Sequence, residues 1–182
     1  GLGGSLVRSM ALVELAPQPL SNERVLSLFK VLRDDLRQVI DQGSSAGALV
    51  PETPVQWAAP LRHRFTRIFD EMGVATQWHI APQWQGWPSA LQCLGLTRLV
   101  EEALSNVIKH SQARQVRVAC SQPLPDTLHL CVEDDGVGFD VAAVRSAGIS
   151  VGMRSMAARA ERIGGTFTVE SGILGTTVTV VL

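Results

Sequence analysis

The hydrophobic residues in the first 45 positions recur at helical spacing in two consecutive segments. In the second segment they succeed one another at intervals of three and four residues: Val25, Leu28, Leu32, Leu36 and Val39. Pro17 and Pro19 end the first helix, and Ser21 is a favoured N-cap for the second. The pattern therefore predicts an α-helical hairpin over residues 1–45. Because two helices alone cannot bury both apolar faces, we expect pairing with a second copy into a four-helix bundle, with packing on its own globular domain as the alternative.

From residue 50 to residue 182 the pattern alternates between helical and strand spacing, after a Gly-, Ser- and Pro-rich linker over residues 43–54. Helices are predicted from Pro54 to near Gly73, from Ser89 to about Ser111, and over residues 152–163. Strands are predicted over residues 74–80, 114–120, 127–133, 166–170 and 176–182, with a turn at Pro123 and Pro125. This order predicts an α/β fold: a two-layer sandwich with a mixed, mainly antiparallel sheet and helices on one face.

Composition narrows the class of protein. Of 182 residues, 46% are hydrophobic, which is enough for one sizeable core, and the net charge of -1 argues against nucleic acid as a partner. No apolar run reaches the length of about 20 residues that a membrane span needs, so we expect no membrane contact within these residues. Three widely spaced cysteines indicate buried thiols in a reducing cytoplasm, and argue against a disulfide framework or a zinc site.

The longest predicted helix carries polar side chains along one edge. Glu102 and Asn106 are four residues apart and project from the same side, and Lys109 is three residues beyond Asn106. Together with His110 they form a set that could bind a hydrated Mg²⁺ and phosphate oxygens. A solvated face with i,i+4 pairs is the alternative for this helix taken alone.

A second candidate stretch, Glu133–Asp140, comes directly after the strand at residues 127–133. Asp134 can accept hydrogen bonds from an exocyclic amine, and Gly136 and Gly138 allow the backbone to approach a ligand closely. Taken alone, Asp-Gly after a strand is more often an ordinary turn. Gly148 and Gly152 lie at the start of the next helix, where free backbone N–H groups suit phosphate. Together the two stretches predict a Mg²⁺–nucleotide site, although the Gly-x-x-x-x-Gly-Lys-Ser/Thr motif of P-loop proteins and the dinucleotide fingerprint are both absent.

These motifs, in this order, resemble the ATP-binding domain of sensor histidine kinases within the GHKL ATPase superfamily, over roughly residues 54–182. Residues 100–111 resemble the N box in the form used by the nitrate-sensor-type subfamily. Residues 134–139 resemble the G1 box, residues 152–165 the glycine-led helix and its exit, and Gly175-Thr176 the terminal Gly-Thr. The short stretch of residues 140–151 stands where the family has its lid.

The resemblance implies a role for each matching residue. Asp134 would accept from the adenine amino group, and Asn106 would ligate the Mg²⁺ that bridges the phosphates. Glu102 would polarise water or support the metal, and Lys109 would neutralise phosphate charge, which makes these two the catalytic candidates. The remaining positions that would bind or shape the ATP pocket are His110, Gly136, Gly138, Gly148, Gly152 and Thr176, with Thr176 beneath the adenine.

The implied activity is transfer of the γ-phosphoryl of ATP to a histidine and then to an aspartate in the receiver domain of a response regulator. The start Gly1-Leu2-Gly3-Gly4-Ser5-Leu6 resembles the segment just beyond the acceptor histidine and its acidic neighbour in this subfamily. We therefore expect the acceptor histidine to lie upstream of these residues, so that this fragment binds ATP but does not phosphorylate itself. We also expect a homodimer formed through the N-terminal helices. We expect a cytoplasmic location, with an inner-membrane anchor in an upstream segment left open. Two alternatives stay open: a serine kinase of anti-sigma type on the same fold, and a non-catalytic nucleotide-binding dimerisation module.

Overall fold

The computed structural model describes residues 50–146 and 151–182, together with Ser21, Asn22, Val25, Leu26, Phe29 and Arg33. Residues Leu49–Leu182 form a compact unit. Of the described residues in the predicted hairpin, Asn22, Val25, Leu26, Phe29 and Arg33 are helical, and the carbonyl oxygen of Ser21 accepts from the Val25 amide at 3.0 Å. The rest of the predicted hairpin, residues 1–45, lies outside the described residues.

The compact unit contains two long helices whose starts are capped by side chains. Helix α1 is Pro54–Glu71, and its N-cap Thr53 accepts from the Gln56 amide at 3.1 Å. Helix α2 is Ala90–Asn106 and begins with a reciprocal capping box between Ser89 and Gln92. Two shorter helices come later in the chain, α3 Val141–Ser146 and α4 Val151–Arg162. The helices predicted from Pro54, from Ser89 and over residues 152–163 are therefore all present.

Five strands form one sheet in the order β1-β2-β3-β5-β4. Their bounds are β1 Ala75–Ile80, β2 Gln115–Leu124, β3 Thr127–Asp134, β4 Thr166–Gly172 and β5 Gly175–Val181. β1 runs parallel to β2, and the other neighbours pair antiparallel. The predicted mixed, mainly antiparallel sheet is confirmed.

The core lies between the helices and one face of the sheet. Alternate residues of β2 and β3 are buried there, among them Val116, Val118, Leu130 and Val132, as the period-2 pattern requires. Residues on the opposite face stay open, as the exposed ion pair between Arg117 and Glu133 illustrates. The helices therefore cover one face only, which confirms the two-layer sandwich.

Three local features depart from the predicted elements. β2 continues through Pro123 to Leu124, so the expected turn at Pro123 is wrong; an irregularity in pairing between Ser121 and Leu124 accommodates the proline. Helix α3 was not predicted, although Asp140 is a recognisable N-cap whose carboxylate accepts from the Ala143 amide at 2.9 Å. The long helix changes after Asn106 into a π-helical turn, Val107–Ser111.

In the part of the chain that the structure describes, no helix is both long enough and apolar enough to cross a membrane.

Candidate functional site

A row of polar side chains crosses the ends of three neighbouring strands. Asp134 at the end of β3 lies opposite Thr176 on β5, and Thr176 lies opposite Ser171 on β4. Residues directly opposite each other in antiparallel strands share a face. Since Asp134 is two residues after the buried Val132, this is the face that the helices cover. The row therefore continues the core face of the sheet into a polar surface.

Asp134, the residue predicted to accept from adenine, is half-buried in this row. Its Oδ1 accepts a hydrogen bond of 2.9 Å from the Gly136 amide, and the carboxylate also accepts from the Thr176 amide. Burial raises the pKa of the Asp134 carboxyl, and the neighbouring charge of Asp135 adds to that, while the two amide hydrogen bonds oppose it. A carboxylate held by two amides has a fixed direction and keeps lone pairs free for a further donor.

The neighbouring Asp135 accepts hydrogen bonds from the backbone at the start of β2. Its Oδ1 accepts from the Arg114 and Gln115 amides, both at 2.8 Å, at the start of β2. These hydrogen bonds, chiefly the one from Gln115, hold the pKa of the exposed Asp135 carboxyl below its ordinary value. The two adjacent carboxylates therefore point to different surroundings, as strand alternation leads one to expect.

The glycines after Asp134 allow the loop that contains them to pack against the end of the π-helical turn at Ser111. A Cβ on Gly136 would overlap the carbonyl oxygen and Cβ of Ser111, and the Val137 amide donates to that same carbonyl at 2.7 Å. Gly138, at φ +65°, lies against the carbonyl of Gly172 in the β4–β5 turn. Gly175, at φ +120°, lies against the carbonyl of Asp134. These glycines permit close contacts between backbone segments, in addition to the ligand approach and pocket shaping predicted for Gly136 and Gly138.

Glu102 and Asn106 of α2 face the start of α4. A Cβ built on Gly152 would lie 3.2 Å from Glu102 Oε1, 3.7 Å from Asn106 Nδ2 and 3.9 Å from Asn106 Oδ1. Glu102 and Asn106 are half-buried. The absence of a side chain at Gly152 therefore leaves open space between the first turn of α4 and the carboxylate and amide of α2.

Lys109 and His110 lie on the π-helical turn and are exposed. Within that turn the Ser111 hydroxyl donates to the Val107 carbonyl at 3.0 Å and accepts from the Ala113 amide at 3.1 Å. The turn leaves the helix axis at Gln112, which has a left-handed φ of 52°. π-Turns inside helices occur often at functional sites, and this one presents two basic side chains directly after Asn106.

Glu101, the neighbour of Glu102, is part of a structural ion-pair network. Its carboxylate contacts Arg64 at 2.6 Å and Arg98 at 2.9 Å. Burial opposes its ionisation, but the hydrogen bonds and charges of the two arginines outweigh burial and hold the pKa of the Glu101 carboxyl below its ordinary value. Of the two adjacent glutamates, only Glu102 faces the candidate site.

The residues present fit a magnesium ion that is shared with phosphates. Among the described residues no group of three or more His, Cys, Asp or Glu could cage a metal by itself. Mg²⁺ commonly binds through one or two protein oxygens with waters and substrate phosphates completing its shell. The Asn106 amide oxygen, with Glu102 beside it, matches that donor set.

Backbone contacts and close approaches connect the segments that carry the predicted motifs. Ser111 joins the helix to the glycine loop, Gly152 joins α4 to α2, and Thr176 joins β5 to Asp134. Gly148 lies outside the described residues. Ser171 was not predicted as a site residue; its hydroxyl accepts from the Phe139 amide at 2.9 Å and lies 2.6 Å from Thr176 Oγ1. Its position five residues before Thr176, across a tight hairpin, was the available signal.

A surface groove of about 710 Å³ runs between α1 and β1, lined by residues such as Ala59, Arg62, Thr66 and Trp78. It contains none of the predicted site residues. β1 is at one edge of the sheet, whereas Thr176 and Ser171 are on the two strands at the other side. We assign this groove no part in nucleotide binding.

Comparison with known proteins gives a consistent picture. The family model for the histidine kinase-, DNA gyrase B-, and HSP90-like ATPase matches residues 93–182. The signal transduction histidine-protein kinase/phosphatase DegS of Bacillus subtilis (strain 168) is 33% identical over 110 residues, which cover 59% of this chain and 26% of DegS. The sensor histidine kinase LiaS of the same organism is 44% identical over 70 residues, 38% of this chain and 19% of LiaS. The matches span about a quarter or less of these relatives.

Solved structures share the fold. The histidine kinase domain of the blue-light activated histidine kinase from Erythrobacter litoralis EL346 aligns with a TM-score of 0.60 at 17% identity, over 99% of this chain and 82% of that chain. The histidine kinase AdeS of Acinetobacter baumannii aligns with a TM-score of 0.61 at 12% identity, over 100% of this chain and 92% of that chain. The nitrate-sensor-type subfamily stays a prediction. Through residues 93–182 the chain belongs to the histidine kinase-, DNA gyrase B- and HSP90-like ATPase family, as a GHKL domain of the sensor histidine kinase kind.

Proposed function

We propose that this chain is the catalytic part of a two-component sensor histidine kinase, which binds Mg²⁺-ATP and passes its γ-phosphoryl group to a histidine and then to a response-regulator aspartate. The observation that carries the proposal is the position of Gly152, where an added Cβ would lie within 4 Å of Glu102 and Asn106, combined with the hydrogen bond from Val137 to Ser111. This arrangement supports the proposal because it connects the segments that carry Asp134, Asn106 and Gly152.

The chemistry of such a site is mainly positioning and charge neutralisation. Asp134, fixed by the Gly136 and Thr176 amides, accepts from the adenine amino group. Asn106 would hold Mg²⁺, which would supply neutralisation of phosphate charge, and Glu102 would support the metal or polarise water. Lys109 and His110, exposed on the π-turn, reach toward phosphate oxygens. The start of α4, where Gly152 lies close to Glu102 and Asn106, borders the phosphate site.

The partners are part of the same proposal. The receiving histidine belongs to a segment other than the ATP-binding domain, and the second acceptor is the receiver domain of a response regulator. The predicted helical hairpin over residues 1–45 makes the homodimer. The catalytic unit works in the cytoplasm.

The test is phosphorylation by a longer version of the protein that carries the upstream segment. With ATP labelled at the γ-phosphate we expect label that is lost in acid and kept in alkali, the stability of phosphohistidine, and its loss in Asn106→Ala. Addition of the cognate receiver domain should remove the label from the kinase. Acid-stable label on a partner serine would favour the serine kinase instead, and nucleotide binding without any label would favour the non-catalytic module.

A further inference from the structure

The row across the strand ends includes Ser171, a residue for which the expected ATP site has no role. Asp134, Thr176 and Ser171 lie side by side on β3, β5 and β4. We propose that Ser171 is a positioning residue that fixes the direction of the Thr176 hydroxyl and so contributes to selection of adenine over purines that carry a 6-oxo group. This inference rests on the proposed function.

The hydrogen-bond capacity of Ser171 determines which hydroxyl donates in its hydrogen bond with Thr176. A hydroxyl has one hydrogen to donate and two lone pairs. Ser171 Oγ already accepts from the Phe139 amide at 2.9 Å and lies 2.6 Å from Thr176 Oγ1. If Ser171 donates to Thr176, both of its interactions are satisfied. If Thr176 donates instead, Ser171 accepts twice and its own hydrogen lacks an acceptor among its observed neighbours, which is unfavourable for a half-buried group.

The Phe139 amide is itself held in place. A Cβ added at Gly138 would overlap the Gly172 carbonyl, so the segment that leads to Phe139 packs closely against the end of β4. The amide therefore occupies one lone pair of Ser171 persistently. As a result Ser171 donates to Thr176 Oγ1, and the hydrogen of Thr176 is left to donate elsewhere.

The result is a donor beside an acceptor on one face of the sheet. The carboxylate of Asp134 accepts, and the hydroxyl of Thr176 donates. The edge of adenine offers the opposite pair, an exocyclic amine that donates and an adjacent ring nitrogen that accepts. Hypoxanthine and guanine carry a carbonyl oxygen and an N–H there, so both contacts are reversed. Sites with fixed hydrogen-bond polarity discriminate strongly against ligands with the wrong pattern.

The experiment compares affinities of the whole chain for Mg²⁺-ATP and Mg²⁺-ITP by calorimetry. Ser171→Ala removes the donor and frees Thr176 to rotate, so we expect the ATP-to-ITP preference to fall about fivefold, the effect of one net hydrogen bond. Ser171→Thr keeps the hydroxyl and should restore the preference. Ser121→Ala, on an exposed position opposite His129 at the other end of the sheet, is the matched control and should leave it unchanged.

The outcomes are distinguishable. If Ser171→Ala weakens ATP and ITP binding equally, or changes neither, while the thermal unfolding midpoint shows that the variant is folded, Ser171 does not set the polarity of Thr176 and the inference is wrong. If the unmodified chain binds no ATP at all, the proposed function fails and the inference fails with it.

Discussion

The Val137 amide donates a hydrogen bond of 2.7 Å to the carbonyl oxygen of Ser111, at the end of the π-helical turn. Val137 stands between the two glycines of the predicted G1 box, and Ser111 is the last residue of the predicted N box. One backbone hydrogen bond thus ties the segment that carries Asp134 to the segment that carries Asn106, Lys109 and His110. The position of the Asp134 loop relative to the helix that carries Asn106 depends on this contact.

The glycines that allow this packing should be intolerant of a side chain. Gly138→Ala would be destabilised both by its positive φ of 65° and by overlap with the Gly172 carbonyl. Gly164 has a similar φ of 81° but no heavy atom within 4 Å of an added Cβ, so Gly164→Ala would be destabilised by backbone strain alone. We expect about 1–2 kcal/mol of destabilisation for Gly164→Ala and at least about 3 kcal/mol for Gly138→Ala. Urea unfolding of the two variants measures the difference, and equal losses would contradict the packing role.

Much of this arrangement could be predicted from the sequence, for a physical reason. The strands at residues 127–133 and 176–182 alternate apolar and polar residues, and the capped helix starts at Thr53 and Ser89 depend on local chemistry. Local patterns of this kind are readable because each residue's surroundings are set by its near neighbours. The motifs could therefore be placed on the right elements.

Contacts between distant segments were harder to foresee. Nothing local to Gly136 indicates that its missing side chain makes room for Ser111, and nothing local to Asn106 indicates that the α-helix changes to a π-turn there. The difference between Glu101 and Glu102 also needed tertiary structure, because Arg64 comes from another helix. Such pairings depend on the register in which elements pack, which sequence periodicity does not specify.

Substitutions at the two adjacent aspartates should have different effects: ATP affinity should depend on Asp134, and the stability of the fold on Asp135. In Asp134→Asn the group facing the nucleotide gains a donor, so we expect ATP affinity to fall by about 10- to 100-fold, the range for a hydrogen bond to a charged group. Because the pKa of Asp134 is raised in the folded protein, its ionised form does not favour folding, and stability should not fall. Calorimetric titration and thermal unfolding measure the two effects.

Asp135→Ala is the matched control. It removes the acceptor for the Arg114 and Gln115 amides and should lower stability by about 1–2 kcal/mol while leaving ATP affinity unchanged. The folded pKa of Asp135 is lowered, so this stability is present above its ordinary value of 3.8 and is lost as pH falls through the folded pKa. Loss of ATP binding in Asp135→Ala, rather than Asp134→Asn, would show that the two roles are exchanged.

Substitutions at the two adjacent glutamates of α2 should also have different effects: Glu101 should contribute to stability, and Glu102 to phosphoryl transfer. Glu101→Gln breaks the contacts with Arg64 and Arg98, and we expect a loss of about 1–3 kcal/mol in the free energy of unfolding. Since the folded pKa of Glu101 is below its ordinary value of 4.5, the difference from the unmodified chain should be complete above that value and vanish as pH falls through the folded pKa. Denaturant unfolding at a series of pH values measures it.

Glu102→Gln should affect phosphoryl transfer rather than stability. Glu102 faces Gly152 and Asn106, so its replacement should slow phosphoryl transfer in the longer, histidine-containing protein while stability changes little. A stability loss in Glu102→Gln equal to that in Glu101→Gln, with transfer unaffected, would place Glu102 in the structural network instead.

The central claim, that the four motifs form one ATP site, is tested most directly by backbone amide NMR shifts on titration with Mg²⁺-ATP. We predict the largest shifts at Gly136, Thr176 and Gly152, because two of these amides bond Asp134 and the third opens α4. Amides along the α1–β1 groove, such as Thr66 and Trp78, should stay in place. Shifts confined to that groove, or none at any of these amides, would contradict the account.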